Sequence, residues 1–228
     1  MTTPKLHLYM TPGSCSLASH IALSESNLPF TTTDLGAKRG FPPAYLHLNP
    51  KGRVPILSLK NNNANNANDD EEEEEEEEEQ LITETPAILS LISALAPEKH
   101  LLGTTPLEHA RAHEWIAYLC GTLHGQAFGC LFRPGCFIPS SLSSSSPSSS
   151  AHLDAVRTRG REWVAECFTF IESKLSGAGA VCSRAGVHGR RCVFACFLAV
   201  GNACGIEDMR GGGRGMGGLW MGLLGGRG

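Results

Sequence analysis

The chain has 228 residues and a formal net charge of -4, which leaves room for two small domains or one large one. No basic surplus marks a nucleic-acid binder, and no apolar run reaches the roughly 18 residues of a membrane-spanning helix. Residues 1–10 lack the apolar core of a signal peptide, so the expected location is the cytosol, with neither nucleic acid nor membrane as partner.

Residues 5–10 (KLHLYM) alternate apolar and polar, as a half-buried strand does. The turn Thr11-Pro12-Gly13 leads through Ser14 and Cys15 into Leu17, Ile21 and Ala22, which recur at helical spacing up to about Ser26. Strand, tight turn and helix open an α/β unit. Residues 29–34 read as a second, short strand, and residues 35–53 as loop. Residues 54–60 (VPILSLK) are a third strand, with its proline near the start, where a ladder N–H is least missed. Residues 81–83 form a fourth. Between them, residues 61–80 (NNNANNANDDEEEEEEEEEQ) have the composition of a disordered acidic insertion. The closure entropy of such a loop grows only slowly with its length. Residues 85–96 are a helix with Thr85 as N-cap, Pro86 at the first helical position and Pro97 beyond its end. The expected order over residues 1–98 is β-α-β-loop-β-β-α.

Residues 106–124 carry helical periodicity through Leu107, Ala110, Trp115, Ile116 and Leu119. The Ser-rich stretch at 137–151 is expected to be a flexible linker. Residues 151–175 follow as a helix with Val156, Trp163, Val164, Cys167, Phe168 and Ile171 on its apolar face. Residues 99–176 are thus expected to form a helical domain. Past it, residues 177–228 hold 16 of the 26 glycines and show neither helical nor strand period, which reads as an aberrant, disordered tail.

Nine cysteines, at 15, 120, 130, 136, 167, 182, 192, 196 and 204, include no CxxC pair. Reduced thiols and no metal site are expected. His109 and His113 lie one helical turn apart but lack the other ligands of a zinc-protease pattern. Cys15 differs in its position, where a strand turns into a helix. Helix N-termini offer free N–H groups and partial positive charge, which acidify a thiol. The residue types alone also allow a small core cysteine there. Val54-Pro55 follows NPKGR, where a thioredoxin-like fold sets a cis-proline loop against the helix-start thiol. The backbone before such a proline can pair with a peptide-like ligand. Glu84 can bind an ammonium, and Thr85 with the N–H groups of the helix start can hold a carboxylate or simply cap the helix.

Three motifs in this order, YMTPGSCSLASHI (9–21), NPKGRVP (49–55) and LITETPAI (81–88), resemble the beta-class, bacterial-type glutathione S-transferases. The resemblance runs from residue 5 to about 175, apart from the two insertions. It implies an α/β thioredoxin-like N-terminal domain followed by an all-α C-terminal domain that is here incomplete. It also implies a homodimer using glutathione as substrate, with no metal and with a small electrophile or disulfide as second substrate. Cys15 matches the family's active-site cysteine and Lys38 a lysine near the glycyl carboxylate. Val54, ahead of Pro55, matches the residue whose backbone holds the cysteinyl moiety. Glu84 and Thr85 match the γ-glutamyl anchor. EWIAYLCGTLH (114–124) looks like a helical motif of the second domain, in which His124 matches a histidine near the glutathione thiol. The family's lysine after that histidine is replaced by Gly125 and Gln126, whereas LFRP (131–134) is shared.

The family ordinarily continues with a segment such as FTVADAYL. Residues 187–201 read VHGRRCVFACFLAVG instead. Codons exist for that string which, read one base later, spell FTVADAYLLVSWRWG. The expectation is a frame break or misplaced splice junction between about Leu175 and Val187. The alternative function is a glutathione-binding or interaction module without catalysis, or the inactive product of a frame-shifted gene.

Overall fold

A computed structural model describes residues 4–60, 79–142 and 147–176. The expectations for residues 61–78 and for the tail from 177, including the frame break, lie outside the described residues. The first half builds one four-stranded sheet from β1 (Lys5–Met10), β2 (Phe30–Asp34), β3 (Ile56–Lys60) and β4 (Glu79–Thr83), with α1 (Leu17–Ser26) between β1 and β2 and α2 (Thr85–Leu95) after β4. The strand order is β2-β1-β3-β4. β1 runs parallel to β2, and β3 antiparallel to both β1 and β4. This is the thioredoxin-like N-terminal domain that the resemblance implied.

The period-two reading of β1 holds: Leu6, Leu8 and Met10 are buried, while His7 and Tyr9 take the opposite face. β3 is different, because Ile56, Leu57 and Ser58 are all buried, as befits a central strand with both faces covered. Three boundaries move. β3 starts at Ile56 rather than Val54. β4 starts at Glu79, so Glu79 and Gln80, expected in the disordered insertion, instead pair with Lys60 and Leu59. Ladder hydrogen bonds to a neighbour strand outweigh the weak strand preference of acidic residues. The N-cap of α2 is Glu84, with φ 73°, and Thr85 is already helical and only 8% exposed. The chain turns through the left-handed region one residue earlier than the Thr-Pro signal suggested.

The second half is helical. α3 (Pro106–Ala117) opens with a capping box: the Glu108 N–H donates to Thr105 Oγ1 at 3.2 Å and the Thr105 N–H to Glu108 Oε2 at 3.1 Å. The Thr104 N–H and hydroxyl, then the Thr105 N–H, hold the Glu108 carboxyl down at a pKa of about 2. The helix does not stop near His124. It widens into a π-helical segment (Tyr118–Ala127) and returns to α-helix as α4 (Phe128–Phe132). Short 3-10 turns at Pro134–Phe137 and Ser140–Leu142 lead to α5 (Pro147–Ser176).

Among the described residues of the predicted linker at 137–151, most lie in 3-10 turns or in α5. Its end, from Pro147, is the first turn of α5. Proline suits that turn, and extending a formed helix through serines costs only about half a kcal/mol per residue relative to alanine. On α5, Val164, Cys167 and Ile171 are buried as expected. Gly160 marks the closest crossing with α4, since a Cβ there would lie 2.8 Å from the Leu131 backbone N and 3.0 Å from the Cys130 Cβ. One apolar core runs through β1, α1, β3 and α2 into the π segment and α5. The boundary drawn at residue 98 thus separates elements that share a core, and the two halves meet along a cleft.

Candidate active site

The cleft begins at the turn after β1. Gly13 takes φ 72°, a conformation that glycine adopts without penalty. The turn is tied from within: the Thr11 N–H donates to Ser16 Oγ at 3.0 Å, Ser14 Oγ donates to the Thr11 carbonyl at 2.8 Å, and Ser16 Oγ to the same carbonyl at 3.1 Å. The Ala37 N–H donates to Thr11 Oγ1 at 3.0 Å and ties in the loop after β2. Ser16 and Thr11 are buried, so this small network is a rigid footing for the one side chain between them that faces the cleft, Cys15.

Opposite stands the loop before β3. The Asn49 side chain, nearly fully buried, donates to the Arg53 carbonyl at 2.7 Å and accepts from the Lys51 N–H at 3.2 Å. Gly52, at φ 62°, completes the turn. The polar residues of NPKGRVP thus fold the loop onto itself and deliver Val54-Pro55, whose peptide bond is cis. The Cys15 thiol donates to the Val54 carbonyl across 3.4 Å.

Cys15, Val54, Pro55, Glu84 and Thr85 line one cleft of about 420 Å³, and His124 of the π segment lines its far wall. Six of the seven residues singled out in the sequence therefore converge. Lys38 does not. It sits exposed on a 3-10 turn (Ala37–Arg39), and the neighbour that lines the cleft is Ala37. The resemblance implied a cation near the glycyl carboxylate at Lys38, but the turn leaves it exposed. Glu84 is held at the rim by Lys51, whose Nζ reaches Glu84 Oε1 at 2.5 Å and Thr83 Oγ1 at 2.7 Å. Both members of that pair are at least half exposed, so it positions more than it stabilises.

Three lining residues with charged or thiol side chains were missed: Arg53, Arg133 and Cys120. The first two lay inside quoted motifs, NPKGRVP and LFRP. Cys120 lies four residues before His124 and was grouped with the unreactive thiols. The π segment explains its placement, because its wider turn sets residues four and five apart on one face. Cys120, His124 and Gly125 all reach the cleft.

The electrostatics correct one expectation. Cys15 precedes α1 by two residues rather than sitting in its first turn, and burial pushes its thiol up. Its own backbone N–H, Arg53 and Arg133 pull the other way, but burial prevails. Burial also pushes Cys120, to about 12, with Cys15 and Glu84 adding to the effect. His124 is held below its ordinary range by burial, then by Arg133 and Arg53, so its imidazole is neutral near pH 7. Only a thiolate alkylates fast. The pH midpoint for iodoacetamide labelling of Cys15 in the empty protein is thus expected above that of the same peptide in urea. Arg53→Gln should raise it further. Peptide mapping of labelled samples checks this, and a midpoint below the unfolded one would contradict it.

Residues 13–95 match the family model of the glutathione S-transferase N-terminal domain. Glutathione S-transferase GstA of Escherichia coli O157:H7 is 35% identical over 133 residues, which is 57% of this chain and 57% of that protein. The chain spans about half the length of the curated relatives it matches. Among solved structures, a glutathione transferase homolog from Sulfitobacter with bound glutathione is 26% identical at a TM-score of 0.61, covering 90% of this chain and 83% of that one. A beta-class glutathione S-transferase of Sphingomonas chungbukensis shares the fold, with a TM-score of 0.52 at 22% identity over 90% of this chain and 94% of that one. Among the described residues no helix is long and apolar enough to cross a membrane.

Proposed function

We propose that this chain, whose residues 13–95 match the glutathione S-transferase N-terminal domain and whose fold is that of the bacterial enzymes, binds glutathione in the cleft. There it transfers the tripeptide to small electrophiles, or exchanges it with disulfides, through Cys15. The observation that carries this reading is the convergence of Cys15, Val54, Glu84, Thr85 and His124 on one cleft. The backbone of Val54 would pair with the cysteinyl residue as an added strand does. Glu84 would take the γ-glutamyl ammonium, and Thr85 with the α2 N-terminus its carboxylate. Arg53 and Arg133 supply cations in the cleft, where Lys38 turns away and the family's lysine after His124 is missing.

Binding also supports the chemistry. The Val54 carbonyl accepts the thiol proton of Cys15, a contact that only the protonated form can make. A ligand amide that takes over this carbonyl removes that preference and leaves the two guanidinium groups to favour the thiolate, the attacking species. A homodimer in the cytosol, as the resemblance implies, belongs to the same proposal.

The test is retention of soluble, folded protein on immobilised glutathione, followed by release with free glutathione. Glu84→Gln should weaken retention by removing the partner of the ammonium. Passage of the folded parent protein straight through the column would sink the reading.

A further inference from the structure

The cleft contains a second thiol that glutathione binding does not use. Cys15 comes from the turn before α1 and Cys120 from the π segment, so two thiol residues from opposite halves of the molecule line one cleft. Both are part-buried and free, and both pack against the shared core. His124 follows Cys120 by four residues and lines the same wall.

We propose that Cys120 is the resolving thiol of the site, attacking the mixed disulfide that forms between Cys15 and glutathione. This rests on the function proposed above. A glutathione disulfide first exchanges with Cys15: the Cys15 thiolate bonds to the glutathione sulfur, and the other half leaves as a thiolate. The Cys120 thiol then gives its proton to His124 and its sulfur attacks Cys15 Sγ. The bond between Cys15 and glutathione breaks, glutathione leaves as a thiolate, and the proton returns to it. The product is a Cys15–Cys120 disulfide. Two further glutathione molecules reduce it, yielding one oxidised glutathione and both protein thiols, so electrons balance over the cycle.

Burial, with the Cys15 and Glu84 charges adding to it, holds the Cys120 thiol protonated, so its attack needs a base beside it to take the proton. His124 is neutral in the cleft, and a neutral ring nitrogen can accept the proton. A disulfide brings Cβ atoms to within about 4 Å, so the bond draws the π segment onto the Cys15 turn and narrows the cleft after glutathione has left.

The experiment treats the full chain with oxidised glutathione, blocks remaining thiols with iodoacetamide and maps the peptides. The expected result is a Cys15–Cys120 linked peptide, lost on reduction, with exposed Cys136 as the reference thiol outside the cleft. In Cys120→Ser the same treatment should instead trap glutathione on Cys15. The parent map needs no variant, so misfolding of Cys120→Ser would leave the test intact. A parent protein with glutathione still on Cys15 and Cys120 alkylated overturns the resolving role while leaving the proposed function standing. A Cys15 that takes up neither glutathione nor Cys120 overturns both.

Discussion

Cys15→Ala is expected to bring glutathione-dependent disulfide exchange down to the uncatalysed rate. The loss should be at least about three orders of magnitude, the scale on which removal of a covalent nucleophile acts in other enzymes. Among the described thiols, Cys120 is pushed by burial up to about 12 and so is held protonated, and the exposed Cys136 is not among the residues lining the cleft. Glutathione affinity should change far less, because Val54, Glu84 and Thr85 are untouched. The two readouts separate a chemical role from a structural one: exchange kinetics with a small glutathione mixed disulfide report the first, and calorimetric titration with glutathione reports the second. Undiminished exchange by a folded Cys15→Ala protein would remove the sulfur from the mechanism.

Gly160→Val should unseat α5 from α4. The added Cβ alone would come within 2.8 Å of the Leu131 backbone N and 3.2 Å of the Ala127 carbonyl O. Backbone cannot yield as a side-chain tip can, so the helices must separate. Overpacking of this kind costs about 1–3 kcal/mol and occasionally more. The better helix propensity of valine over glycine returns only about half a kcal/mol. Against a typical total of about 5–15 kcal/mol, such a loss is severe. Urea unfolding followed by tryptophan fluorescence measures it, with Trp115 and Trp163 both packed against the core. The functional effect should follow through the cleft wall, since α4 continues the π segment that carries Cys120 and His124. Gly160→Val unfolding at the parent's urea midpoint would show that the crossing has slack.

Much of the first half was legible from residue order alone. Alternation in KLHLYM, the TPGSC turn and the NPKGRVP and ETP segments each encode a local conformation, and local conformations concatenate into a β-α-β-β-α unit. The same motifs named Cys15, Val54, Pro55, Glu84 and Thr85 as neighbours in space. The helical half was legible as apolar periodicity, but not as register. An α-helical period already sets Cys120 and His124, four apart, on one face; the π segment adds Gly125, five residues after Cys120, to the same wall.

Sequence by itself determined which atoms are available: a thiol at a helix start, a proline-led strand, a carboxylate before a capped helix, and cations scattered nearby. Tertiary structure alone decided which of those cations count and in which direction the thiol is driven. Lys38 falls outside because a 3-10 turn aims it at solvent, while Arg53 and Arg133 are brought in by two separate folds of the chain. The helix-start rule anticipated an acidified Cys15, yet burial raises it. The physical reason is that a pKa depends on desolvation and on distances to charges far away in sequence, and neither exists until the two halves close over the cleft.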